Sequence, residues 1–391
     1  MTWETIRFGD LYAIESRNGL SKPSKVRGAG YKMINMGELF ANDRIYDIDM
    51  ELVPLKESEK VNAKVLAGDL LFARQSLVLE GAGKCSIVME VSPLTVFESH
   101  LIRVRLTEEA DPMFYYYYFR SPLSPVKSIV NQCAQAGIRG SELQELDVLY
   151  PPIETQRKIA SILSTYDNLI ENNRKQIKLL EEAAQRLYKE WFVGLRFPGY
   201  ETTPVVDGVP EGWKKENLTD IANVQYGFAF DGALFNSDGK GTPIVRIRNI
   251  PEGITSDFTT EDAQEQYLVY NGDIVVGLDG KFHINSWSGE ASYLVQRTCH
   301  FRPNNPLMNG WLLQAIYEPI KFFEKTVVGA TVAHLGKKHI DTIQLLTGPD
   351  ELYLPFQKFY EKRQLLLNQN RKLAEARDRL LPKLMSGEIE L

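Results

Sequence analysis

The side chains of this chain best suited to recognition chemistry are Arg, Lys, Gln, Asn and His clustered in segments that read as loops. They are Lys22, Lys25 and Arg27 within Ser21-Lys-Pro-Ser-Lys-Val-Arg, then Arg74 and Gln75, Lys84 and Arg139. In the second half they are Arg246, Arg248 and Asn249, then Lys281 and His283, and Lys337 and Lys338. Arg and Gln can bond a guanine or adenine edge through two atoms at once, and Lys serves phosphate. Any one of them alone also reads as a solvated surface charge, so the grouping carries the expectation. Arg246 and Arg248 are two apart in Ile244-Val-Arg-Ile-Arg-Asn-Ile, which reads as a strand, so both are expected on one face.

Recognised catalytic patterns do not accompany these groups. Val78-Leu-Glu-Gly-Ala-Gly-Lys84-Cys85 lacks the first Gly and the terminal hydroxyl of a phosphate-binding loop. Tyr150-Pro-Pro-Ile and Asn305-Pro-Leu do not match the Asn/Asp-Pro-Pro-Tyr/Phe loop of amino-methyltransferases. Asp279-Gly-Lys281 precedes Pro349-Asp350, the wrong order for a common metal-dependent nuclease. His100, His283, His300, His334 and His339 show no zinc-ligand spacing, and His334 and His339 read as surface or strand residues. No catalytic residue and no metal ligand is assigned.

The elements that must position the recognition groups occur twice. Trp3-Glu-Thr-Ile-Arg-Phe-Gly-Asp-Leu is answered by Trp213-Lys-Lys-Glu-Asn-Leu-Thr-Asp-Ile, and Ala67-Gly-Asp-Leu-Leu-Phe by Asn271-Gly-Asp-Ile-Val-Val. A third pair is Glu145-Leu-Asp-Val-Leu with His339-Ile-Asp-Thr-Ile, and the offset drifts from 210 through 204 to 194. Such drift fits a duplicated unit that has gained and lost loop residues. Leu70–Ala73, Ser86–Met89, Leu101–Leu106 and Asp273–Val276 read as strands, the third with one exposed, basic face. Pro112-Met-Phe-Tyr-Tyr-Tyr-Tyr-Phe reads as core.

Each half closes on a long helix. Ile159, Leu163, Tyr166, Ile170, Asn173, Ile177, Leu180, Ala184, Leu187 and Trp191 alternate steps of four and three, an apolar seam that predicts coiled-coil packing. The helix starts after Pro151-Pro152 and Gly194 is its expected cap, for a length of roughly 60 Å. The closing helix, from near Pro355, carries Phe359, Leu366, Asn370, Leu373, Leu380 and Leu384; Arg363 and Arg377 interrupt its seam, and Pro382 is expected to kink or fray its end. Asn173 and Asn370 sit near the two midpoints, where a buried polar pair would set the register of antiparallel helices.

The resulting expectation is an α+β chain with two similar mixed α/β globules and a pair of long antiparallel coiled-coil helices, related by a pseudo-two-fold. Its segments are 1–152, the helix 153–194, a linker and second globule 195–352, and the helix 353–391. At 391 residues, 43% hydrophobic and 25% charged, the composition suits a soluble two-domain protein. Absence of a signal-peptide layout and of any long apolar run points to the cytoplasm, and Cys85, Cys133 and Cys299 read as reduced structural residues. A net charge of -6 argues against an autonomous DNA binder, whose affinity would come from phosphate neutralisation. It is compatible with a subunit whose partners supply those contacts.

Pro151-Pro-Ile-Glu-Thr-Gln156-Arg-Lys-Ile opening a long helix, Arg186-Leu-Tyr-Lys-Glu-Trp-Phe, and Arg379-Leu-Leu-Pro-Lys-Leu-Met-Ser-Gly-Glu-Ile resemble the specificity (S) subunits of type I restriction-modification systems. The Gly68-Asp69 and Gly272-Asp273 turns resemble the middles of that family's two target recognition domains. The second helix entry departs, since Leu-Pro-Phe-Gln357-Lys-Phe matches the Pro-Pro…Gln pattern only loosely. The resemblance implies a non-catalytic subunit in which each globule reads one half of a split, asymmetric site in double-stranded DNA. It implies two methyltransferase (M) subunits on the helices, bringing S-adenosylmethionine for adenine methylation. Restriction (R) subunits with ATP and Mg would join that core; no cofactor is expected in this chain itself. Two other readings stay open: a DNA-modifying enzyme with an unrecognised active site, which would methylate without partners, and a coiled-coil adaptor with no nucleic-acid role, which would give no sequence-dependent DNA protection.

Overall fold

The computed structural model describes residues 3–132, 136–326 and 333–391. They form two compact units, 1–169 with 373–391 and 170–372. These units cut across the four segments above, because each takes part of both long helices.

In the first unit the alternating apolar runs build a five-stranded sheet in the order Tyr12–Asn18, Leu101–Leu106, Leu70–Ala73, Cys85–Val88, Arg44–Ile45. Leu101–Leu106 is not half exposed as its alternation suggests. It is paired on both sides, Arg103 is 3% exposed and donates to the Lys64 carbonyl at 3.0 Å, and Arg105 clasps Asp69 at 2.7 Å. The basic face is therefore spent on internal partners, as buried charge requires. The aromatic segment forms a helix, Pro112–Arg120, capped by Asp111 and buried from Phe114 to Phe119.

The second unit repeats this plan with a four-stranded sheet, Ala222–Tyr226, Thr298–Pro303, Ile274–Gly277, Ile284–Ser286. In each unit the opening strand pairs with the strand that precedes a long helix: Ile6 lies opposite Val148, and Lys215 opposite Leu346. The repeated glycines Gly68 and Gly272 hold φ values of +88° and +92°, which glycine adopts without steric cost. The buried aspartates that follow do the same work twice. Asp69 accepts from Leu66 N and from Arg105; Asp273 accepts from Tyr270 N and from Arg302. The third repeat anchor needs correction: Phe8 N bonds Leu146 O and Leu218 N bonds Ile343 O, each at 2.8 Å, so the offset there is 343 − 146 = 197 rather than 194. Apolar residues recur at every third or fourth place there, and matching by type alone slipped by three.

The first long helix spans Ile153–Tyr188 and continues as a π-turn over Lys189–Val193. Gly194 follows with φ −82°, and the left-handed residue is Leu195 at +54°. The second spans Leu354–Met385 and runs through Pro382 with no break. Segment 195–212 is partly folded, with a hairpin at Val205–Val206 and Val209–Pro210, and Phe197 packs on Trp213 with ring centroids 4.7 Å apart. Ile244–Ile250 is not one strand. The strand is Thr242–Val245, and Asn249 Oδ1 accepts the Arg246 N–H at 2.8 Å, folding Ile247–Asn249 into a 3-10 turn.

Within the second unit Glu181 meets Arg363 at 2.6 Å, and Asn173 Nδ2 donates to Asn370 Oδ1 at 2.9 Å. Residue numbers fall on one helix as they rise on the other, so the pair is antiparallel, and the asparagine register contact is made. Replacing Asn173 alone with Leu should leave the Asn370 amide without this partner and cost about 1 kcal/mol. The double replacement N173L/N370L should recover that loss by restoring an apolar layer. Urea unfolding separates these outcomes, and a neutral single variant would remove the role.

Both arginines that interrupt the second seam are put to use. Arg363, 8% exposed, donates to Glu181 on the first helix and to Asn285 and Ser286 on the sheet's edge strand. In the first unit Arg377 donates to Asp167 on the first helix, and Asp167 accepts the Tyr117 hydroxyl at 2.6 Å. Each arginine joins both helices to the globule of its own unit.

Candidate DNA interface

Of the proposed recognition residues, several are held by acids that lie far away in sequence. Lys22 pairs with Glu59 at 2.8 Å and is 11% exposed. Arg27 donates to Glu51 at 2.6 Å and to the Lys22 carbonyl, and Lys84 to Asp43 and the Phe40 carbonyl. Arg248 and Asn249 both bond Asp257, while Arg246 stacks its guanidinium over Phe235. Burial opposes ionisation of Asp257, but Arg248 and Asn249 outweigh it and hold its carboxyl below the usual range. Because Arg246 precedes the 3-10 turn and Arg248 lies within it, the two do not share a strand face. Lys25, Arg139, Lys281, Lys337 and Lys338 are exposed.

A subset is brought together at corresponding places in the two units. In the first, Gln75–Ser76 pairs with Ala136–Gly137, and Ile138 N bonds the Arg74 carbonyl at 2.9 Å. That ladder sets Arg74 and Gln75 beside the segment carrying Arg139. His100 joins them, its Nδ1 2.9 Å from Gln75 Oε1. In the second unit Asp279 bridges to His334, Gly280 N bonds Ala333 O, and Leu335 N bonds Leu278 O at 2.7 Å. These contacts set Lys337 at a cleft of about 520 Å³ lined also by Tyr226, Leu278, Arg297 and His334; Lys281 is not among its lining residues. His283 bonds back to Gly277 N through its carbonyl. Burial, with Lys281 and Lys321 adding to it, keeps its imidazole below the ordinary value and so neutral near pH 7.

Gln75 follows its strand, Leu70–Ala73, by two residues, and Asp279 follows Ile274–Gly277 by two. His100 directly precedes Leu101–Leu106, as Arg297 precedes Thr298–Pro303. The pairs Gln75–His100 and Asp279–Arg297 are thus the same structural position filled by different chemistry. Such variation on a constant scaffold is what reading different sequences requires. Arg297, Asp279 and His100 are not among the residues nominated from the sequence, whereas His334, read there as a surface or strand residue, is exposed and bridges to Asp279. The one available signal was their placement at the ends of the repeated strands.

Among the described residues no cluster of His, Cys, Asp or Glu has the arrangement of a metal site. No helix among them is long and apolar enough to cross a membrane. Cys85 and Cys299 are buried free thiols raised by burial; Cys133 lies outside the described residues.

Repeated sheets with exposed polar loops, each tied to a shared pair of long helices, define a two-domain recognition protein. The sequence profile described as the type I restriction modification DNA specificity domain matches residues 1–182 and 210–351, and the chain belongs to that family of DNA-specificity subunits. It is 27% identical over 303 residues to the type I restriction enzyme MjaIX specificity subunit of Methanocaldococcus jannaschii, covering 71% of this chain and 69% of that one. To the EcoKI specificity subunit of Escherichia coli it is 30% identical over 149 residues, 37% of this chain and 32% of the relative. The crystal structure of the type I S subunit from M. genitalium superposes with a TM-score of 0.57 at 17% identity, covering 98% of this chain and 96% of that chain, a likeness of fold.

Proposed function

We propose that this chain directs partner adenine methyltransferase subunits to a bipartite, asymmetric site in double-stranded DNA. Residues 1–152 and 195–352 act as target recognition domains, one per half-site, and the helices 153–194 and 353–391 act as spacers. Two M subunits dock on the helices and supply S-adenosylmethionine, each extruding an adenine from the duplex to reach it. Restriction subunits using ATP and Mg complete the assembly. The chain itself carries no chemistry in this scheme; it selects sequence.

The observation that carries this reading is the duplicated Gly-Asp turn and Asp–Arg clasp on a repeated sheet, with Gln75–His100 at one equivalent place and Asp279–Arg297 at the other. One scaffold with two different sets of groups suits two unlike half-sites. DNA affinity is expected to fall steeply with salt, and to depend on the M subunits for most phosphate contacts. Genome-wide mapping of methyladenine with and without the gene tests the function. Deletion should abolish one bipartite motif, and exchange of residues 1–150 for another recognition domain should alter one half of it. An unchanged methylation map would end the proposal.

A further inference from the structure

Arg297 occupies a backbone position that favours glycine. Thr298 N bonds Val295 O at 3.1 Å, closing a four-residue turn in which Arg297 is third, with φ +76°. Type II turns require positive φ there and usually fill it with Gly. Strained residues of this kind persist where the side chain is needed. The Arg297 side chain is 51% exposed at the rim of the 520 Å³ cleft, so packing does not account for it.

Its orientation is set from below. Nη1 donates to Asp279 Oδ2 at 2.7 Å, and the other oxygen of Asp279 lies 2.5 Å from His334 Nδ1. Asp279 is itself anchored, through the bridge to His334 and the bond from Leu278 N to Arg297 O at 2.8 Å. With Nη1 engaged, the edge formed by Nε and Nη2 takes no partner among the described residues. That edge is a planar two-donor fork, which matches the O6 and N7 acceptors of guanine in the major groove. A fork held by a carboxylate loses less freedom on binding than an unrestrained arginine.

Resting on the specificity-subunit reading, we propose that Arg297 reads a guanine in the half-site served by residues 195–352, with Asp279 and His334 as positioning residues. In the first unit the same place holds Gln75 bonded to His100, so the carboxylate-held arginine of the second unit has no counterpart at that position. Asp279, with both oxygens occupied, positions the arginine and does not itself face a base.

The test uses the assembled methyltransferase complex with R297G and R297K, read by methyladenine sequencing over all sites and by melting temperature. R297G suits the turn, since glycine takes φ +76° freely, and should melt at or above the wild-type temperature. R297K keeps the charge and loses the fork, and it decides the matter should R297G melt lower. Both should relax one guanine position of one half-motif, with discrimination there falling about 5- to 150-fold. The other half-motif and the spacing should stay as they are. An intact motif in R297K overturns the assignment, as does a uniform loss at every sequence, the mark of a phosphate contact. A half-motif without a G·C pair overturns it as well. A wild-type complex that yields no bipartite motif overturns the specificity reading itself, and this assignment falls with it.

Discussion

Replacing Arg377 with Leu is expected to destabilise the unit of residues 1–169 and 373–391 by about 3 kcal/mol. Asp167 is 8% exposed and accepts from Arg377 and from Tyr117. Removing the guanidinium leaves a buried carboxylate with one neutral donor, and an uncompensated buried charge costs about 3–5 kcal/mol. Arg377 is 22% exposed, which places the effect at the low end of that range. The double variant R377L/D167L should regain all but about 1 kcal/mol, the remainder being the Tyr117 hydroxyl deprived of its acceptor. Asp378 also touches Arg377 but is 60% exposed, and D378A should cost under about 0.5 kcal/mol. Urea unfolding of the whole chain, followed for each transition, reads all three. A single variant R377L within about 1 kcal/mol of wild type would show that the helices and the globule are not joined through this group.

Acid should weaken the other unit through His300. This residue sits in strand Thr298–Pro303, is 2% exposed, and its Nδ1 is buried without a partner among the described residues. Burial, partly offset by Asp273 and reinforced by Arg302, lowers its pKa from 6.5 to about 4. Above pH 6.5 the imidazole is neutral in folded and unfolded chains alike, so the contribution there is flat. Between pH 6.5 and 4 the unfolded chain takes up a proton that the folded chain refuses, and stability falls as pH falls. The loss across that window is about 3 kcal/mol, at 1.36 kcal/mol per pH unit. His300→Leu should flatten this limb while leaving the carboxylate-driven loss below it. If wild type and H300L fall in parallel from pH 6.5 to 4, the buried neutral histidine is not the cause.

Most of the helical architecture was legible from spacing. A four-three alternation from Ile159 to Trp191 specifies an apolar stripe whatever lies elsewhere in the chain, because helical periodicity is local. The Asn173–Asn370 contact followed from the same counting, since antiparallel seams bring midpoints together. Arg363 and Arg377 looked like flaws in the second seam because their partners lie on other elements, Asn285 on the sheet and Asp167 on the first long helix, where it also holds Tyr117. No helical pattern reports such partners. Leu101–Leu106 was misjudged for a related reason: alternation of apolar and basic residues marks two faces, but Lys64 and Asp69 decide that the basic face is covered.

The recognition groups divide along the same line. Residue type and loop placement were enough to nominate Lys22, Arg27, Lys84 and Arg248, yet Glu59, Glu51, Asp43 and Asp257 already hold them. Arg297 drew no notice in the sequence and acquired its meaning from φ +76° and from Asp279, eighteen residues earlier in the chain. Repetition, helix length, seam and register were determined by the order of residues, since each depends on spacing along a chain segment. Which charges remain available to another molecule was decided by tertiary structure alone, because an ion pair is settled by the acid that folding brings within about 3 Å.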